Sequence, residues 1–301
     1  MGRKVCDSHP GIADRLSMKK ILITGATGFV GDHVINALLA QGYTVVASSS
    51  SKEKAAEYDW FDRVEFIPFD LKSVVDGDDY YNWFGRPDAL IHLAWEGLPN
   101  YKAEFHIEEN LPRHYIFLRN LVMHGLKDIT VTGTCFEYGL QEGKLSEDMP
   151  VFPGNPYARA KNDLRIMLEN LSKDMPFYLK WVRLFYMFGR GQNPNSLLSQ
   201  LQAALRRGDG VFNMSPGDQQ RDYLSIETVA AYLVKIATQH KVNGVINCCS
   251  GEPVEVKQLV LDYLKERKAT INLNLGFYPY SDIEPRNFWG DTTKLKTIID
   301  E

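Results

Sequence analysis

The stretch "ILITGATGFVG", from Ile21 to Gly31, constrains this chain more than any other. An apolar run leads into three glycines, Gly25, Gly28 and Gly31, and an amphipathic run follows. Between a buried strand and a helix, such glycines permit a sharp turn and let backbone N–H groups approach a pyrophosphate. They also let the helix pack close to the strand. The pattern sets Gly25, Ala26, Thr27, Gly28, Phe29 and Val30 around a dinucleotide. After it, "DHVINALLAQ" places Val34, Ile35, Leu38 and Leu39 on one helical stripe, and Gly42 stops the helix.

Short β-branched and aliphatic runs recur between helix-period segments. They begin at Ile21, Thr44, Val64, Ala89, Asp128, Phe177 and Gly244. Continuous rather than alternating apolar character suits strands covered on both faces. The expected fold is therefore α/β, a Rossmann-type doubly wound parallel sheet with a smaller C-terminal substrate-binding lobe. Residues 18–186 would form the dinucleotide-binding domain, with 220–250 returning to its sheet. Residues 187–219 and 251–301, rich in Gly, Pro, Asn and Asp loops, would form the lobe. The first 17 residues lack the apolar stretch of a signal peptide and read as a remnant or loose extension.

Bulk properties exclude several classes. A net charge of -4 gives no case for nucleic acid or an anionic membrane surface. No apolar run is long enough to span a bilayer. The four cysteines, Cys6, Cys135, Cys248 and Cys249, fit neither a zinc site nor a disulfide framework. Buried free thiols, hence a reducing cytoplasmic setting and no metal, are the expectation. His92, inside an apolar strand, reads as a core histidine.

The second strand runs into "ASSSSKEK". A carboxylate there would bind ribose hydroxyls and repel a 2′-phosphate. Ser48, Ser49 and Lys52 instead favour NADP(H), with NAD(H) as the alternative. Asp70 and Leu71 close the third strand, where an adenine would lie; Leu93, Ala94 and Trp95 close the fourth. In "NPYARAKND", Asn155 is a good N-cap and Pro156 a good first helical residue. Tyr157 and Lys161 then share a helix face one turn apart. A nearby ammonium is expected to lower a phenol's pKa, so that it can exchange a proton with an alkoxide. Thr134 ends the fifth strand, where its hydroxyl could hold a carbonyl beside that phenol.

"TGATGFVG", "HLAW", the hydroxyl four residues before Tyr138-Gly139, and "YARAK" together resemble the extended short-chain dehydrogenase/reductase family, of the NAD-dependent epimerase/dehydratase type. The resemblance runs from Met18 nearly to the C-terminus. It implies Thr134, Tyr157 and Lys161 as a catalytic triad, a nucleotide-diphosphate sugar as substrate, and a homodimer built on paired helices. Asn110 joins the expected cofactor contacts. It further implies diphosphate contacts from Arg221 and Arg286, with Cys135, Phe136 and Tyr186 at the sugar. Tyr186 stands where many family members have asparagine.

Family dehydratases carry an Asp-Glu pair directly after the catalytic hydroxyl. Cys135 and Phe136 occupy those positions, which disfavours dehydration. The expected reaction is reduction of a nucleotide-linked 4-keto-6-deoxyhexose. The resemblance is closest to 4-ketoreductases of the CDP-abequose synthase and dTDP-4-keto-6-deoxyglucose reductase types, enzymes of deoxysugar and O-antigen supply. The alternatives are a nucleotide-sugar 4-epimerase with tightly bound NAD, and a non-catalytic dinucleotide-binding redox sensor.

Overall fold

The computed structural model describes residues 19–300; the expected N-terminal extension lies outside them. Its centre is a seven-stranded sheet. Five strands are β1 (Lys20–Thr24), β2 (Thr44–Ser48), β3 (Glu65–Phe66), β4 (Ala89–His92) and β5 (Asp128–Thr134). Tyr178–Leu184 and Gly244–Cys248 complete it, and the order across the sheet is Gly244–Cys248, Tyr178–Leu184, β5, β4, β1, β2, β3. Every pairing is parallel. Each strand arises from one of the seven apolar runs. All seven residues of β5 are buried, as a strand covered on both faces requires.

The register brings functional ends to one edge. Thr24 pairs with Ser48 on one side and His92 on the other, and Thr134 pairs with Leu184. The carboxyl ends of β1, β2, β4 and β5 therefore open on the same crevice, where ligands of such sheets bind.

Helices cover both faces. On one, Val34, Ile35 and Leu38 of helix Phe29–Ala40 pack with Val229, Leu233 and Ile236 of helix Ile226–Thr238. On the other, Phe117, Leu118 and Leu121 of helix Leu111–Met123 meet Leu164 and Leu168 of helix Pro156–Asp174. A separate apolar cluster joins Leu198 and Leu201 of helix Leu197–Arg207 to Val256 and Val260 of helix Val256–Glu266. One boundary differs from the sequence expectation. Helix Thr293–Ile299 buries Leu295 and Ile298 in the sheet's own core, because its apolar positions face helix Ile226–Thr238.

Candidate active site

A cleft of about 900 Å³ opens at the carboxyl edge. One end is the glycine turn. Gly25 has φ +72, and a Cβ there would stand 2.7 Å from the Ala94 backbone nitrogen. A Cβ on Gly31 would stand 2.3 Å from the Gly25 carbonyl oxygen. Only glycine allows this packing. Gly28 caps helix Phe29–Ala40 and has no side chain with which to satisfy its first turn. The orphan N–H groups of Phe29, Val30 and Gly31 therefore stand at the cleft wall, where an anion would complete them. The residues present fit a dinucleotide pyrophosphate.

The catalytic candidates line the other end. Asn155 caps helix Pro156–Asp174 by accepting from the Ala158 N–H at 2.9 Å. That cap fixes the first turn, and Tyr157 is tied down further by its N–H, which donates to the Tyr101 carbonyl at 3.1 Å. The Tyr157 ring packs against Tyr101 at 5.5 Å and Trp95 at 6.0 Å. Thr134 ends β5 and caps the next turn, accepting from the Phe136 N–H at 3.2 Å. Glu137 closes that turn from behind. Fully buried, it accepts from the Thr134 N–H at 2.9 Å, Trp181 Nε1 at 3.0 Å and Arg183 Nε at 2.8 Å. Tyr138 is structural too: Arg183 lies 4.4 Å over its ring, and its hydroxyl donates to Asn247.

One electrostatic expectation is corrected. Burial pushes the Tyr157 phenol well above its ordinary value, with Tyr101, Glu137 and Cys135 adding to the rise and the Thr134 hydroxyl opposing it. Lys161 does not reverse this. Its ammonium donates to the Thr132 carbonyl at 2.9 Å and lies 4.1 Å over the Trp95 ring. Burial lowers the Lys161 pKa to about 7, against a partial upward pull from Glu137. The shared helix face fixes proximity, whereas burial decides protonation.

Other expected contacts divide. Gly25, Gly28, Phe29, Val30, Leu93, Trp95, Cys135, Phe136 and Tyr186 line the cleft with the triad. Ala26 is instead wholly buried in the core, and its N–H donates to the Ser48 carbonyl. The Thr27 carbonyl accepts from Tyr58. Ser48 and Ser49 are buried at the end of β2. Lys52 is exposed on the short helix Lys52–Ala55, and Lys54 from that helix borders the cleft instead, since two residues of helix turn the side chain to another face. Asp70 caps a 3₁₀ turn through the Lys72 N–H, and Leu71 packs on the core. Asn110 is buried and tethers the Glu96 carbonyl.

Arg221 and Arg286 do not line the cleft. Arg221 is buried and ion-paired to Glu284 at 2.8 Å, and it also donates to the Arg286 carbonyl. Arg286 is exposed, bonded to Asp218 and Tyr280. Their partners lie more than sixty residues away in sequence or on an irregular loop, beyond the reach of local pattern. Sequence reasoning also passed over Tyr101 and Tyr223, which line the cleft. Tyr101 sits in a loop with no periodicity to mark it. The buried His92 is satisfied, as expected, by Thr24 and His114. Cys135, Cys248 and Cys249 are buried free thiols. Among the described residues no His, Cys, Asp and Glu grouping could hold a metal, and no helix is long and apolar enough to cross a membrane.

The model of the NAD dependent epimerase/dehydratase family matches residues 21–249. The dTDP-6-deoxy-L-talose 4-dehydrogenase (NAD(+)) of Aggregatibacter actinomycetemcomitans is 27% identical over 271 residues, covering 90% of this chain and 98% of that protein. The GDP-6-deoxy-D-talose 4-dehydrogenase of the same organism is 27% identical over 291 residues, covering 93% of this chain and 91% of that protein. Among solved structures, the UDP-glucuronic acid 4-epimerase from Bacillus cereus, in complex with UDP-glucuronic acid and NAD, has a TM-score of 0.80. It is 23% identical and covers 93% of each chain.

Proposed function

The chain belongs to the NAD dependent epimerase/dehydratase family, and from that premise we propose that it reduces the 4-keto group of a nucleotide-linked 4-keto-6-deoxyhexose. One observation carries the reading. The residues lining the cleft include Thr134, Tyr157 and Lys161 but no Asp, Glu or His. Proton traffic at the sugar then falls to hydroxyls and the lysine, which suits carbonyl reduction. Elimination of water needs a further acid and base. Cys135 cannot supply one, because burial pushes its thiol far up. The relatives named as 4-dehydrogenases of 6-deoxytaloses support the same carbon, since dehydrogenation there is the reverse of this reduction.

A bound nicotinamide dinucleotide supplies the hydride. The Thr134 hydroxyl donates to the substrate carbonyl oxygen and fixes it beside Tyr157. The Tyr157 phenol, kept protonated by burial, gives its proton to that oxygen as negative charge develops. The Lys161 cation stabilises the phenolate left behind. Tyr101, Phe136 and Tyr186 wall the cleft and exclude water.

For the cofactor, the β2 turn offers Ser49 and Lys54 and no carboxylate at its end, which supports NADP(H). NAD(H) is the competing choice, and one relative's name specifies NAD(+). Lys54→Ala is expected to weaken NADPH roughly tenfold while leaving NADH unchanged. The activity test mixes the protein with NADPH or NADH and dTDP-, GDP- or CDP-4-keto-6-deoxyhexose. Cofactor oxidation with formation of the 4-hydroxy sugar is expected. Absence of oxidation with all three nucleotides refutes the reading, and sugar epimerisation with no net cofactor change replaces it with the epimerase.

A further inference from the structure

Trp95 makes a set of contacts that a cofactor-lining residue does not require. Its ring lies under the Lys161 ammonium at 4.1 Å and stands edge-on to Tyr157. It also stacks on His114 at 4.5 Å, with an interplanar angle of 28°. Its indole N–H donates to His106 Nδ1 at 3.1 Å. Beneath this, His114 Nδ1 meets His92 Nε2 at 2.7 Å, and His92 Nδ1 meets the Thr24 hydroxyl at 2.8 Å. A continuous line of contacts thus runs from β1 through two buried imidazoles to the indole, and from the indole to the lysine.

We propose that Trp95 is a positioning residue for the reaction, its indole face holding the Lys161 ammonium in place as a cation, with the His92–His114 pair bracing the indole through the His114 stack. The inference rests on the function proposed above. An aromatic face attracts a cation, most strongly where water is excluded, and Lys161 is only 2% exposed. The other charged or titratable groups that act on that ammonium are Glu137 after β5, His92 at the end of β4, and His106 and His114 beyond it. Only Glu137 offers negative charge, and it is committed to Arg183. Burial lowers His92 to about 3 and His114 well below its ordinary value. Both are therefore neutral at working pH and can exchange hydrogen bonds without adding positive charge beneath the lysine.

The test is a double-mutant cycle of Trp95→Leu and Lys161→Met, read by urea unfolding at pH 6 and pH 9, and it needs no activity. The expected coupling is about tenfold in the unfolding equilibrium constant at pH 6. It should largely vanish at pH 9, where the lysine is neutral. Coupling that is absent, or equal at the two pH values, overturns the proposal. Trp95→Phe keeps an aromatic face and should retain part of the coupling, so a misfolded leucine variant does not end the test. On the enzyme, Trp95→Leu should move the alkaline limb of kcat/KM about one pH unit lower. A fall in kcat/KM with the limb unmoved would assign Trp95 a packing role and overturn the claim. If no substrate turns over, the unfolding cycle still decides.

Discussion

Replacing Glu137 with glutamine probes the wall behind the site. Glu137 and Arg183 are essentially inaccessible to solvent and 2.8 Å apart. Glutamine keeps the size of the side chain but removes its charge. One glutamate oxygen accepts from the Thr134 N–H, the other accepts from Arg183 Nε, and the Trp181 indole N–H is shared between the two. An amide can serve only one of these sides, and its NH₂ then faces a donor on the other. Breaking a buried ion pair by removing one partner costs about 3–5 kcal/mol. Because half of the acceptor geometry survives, the lower end, about 3 kcal/mol, is expected. Urea unfolding at constant slope reads this as a lowered midpoint. The double variant Glu137→Gln with Arg183→Met should recover much of the loss, since no buried cation remains unpaired. Freed from its acceptor, the Thr134 turn should also lose definition, lowering kcat more than it raises KM. A loss under about 1 kcal/mol, with kcat intact, would refute the claim that this ion pair holds the turn.

Other outcomes follow from the same geometry. Lys161 has a folded pKa of about 7, below its ordinary 10.5, so between those values the unfolded chain binds the extra proton. Stability should therefore rise with pH across that window, by up to about 1.4 kcal/mol per unit from this group. Lys161→Met should lose that increment, and equal slopes in the two proteins would contradict it. Gly31→Ala places a Cβ against two backbone carbonyls that cannot move aside. It should cost about 1–3 kcal/mol and abolish dinucleotide binding, measured by calorimetry; unchanged affinity would show that the loop does not hold the pyrophosphate.

The fold was legible because its strands are continuous apolar runs and its first turn is punctuated by glycine. Asn155 and Pro156 likewise announced the helix that carries Tyr157. What local pattern missed depends on long-range approach. An i, i+4 spacing puts Tyr157 and Lys161 on one face, but it does not reveal that the lysine turns to the Thr132 carbonyl and the Trp95 ring. Likewise, nothing near Arg221 in sequence announces Glu284, which satisfies it. His106 and His114 carry no spacing signal, because their partners come from the loop and strand before them. The difference between Lys52 and Lys54 is one of helix phase, too fine for a turn read as composition.

The central claim is that the Tyr157 phenol delivers the proton. Tyr157→Phe removes one oxygen from a ring packed between Trp95, Tyr101 and His106 and leaves the glycine loop untouched. Single-turnover reduction of the 4-keto sugar, measured beside dinucleotide affinity, should fall by about 10²–10⁴-fold while that affinity stays within a few-fold. Reduction at the wild-type rate by the phenylalanine variant would contradict the account.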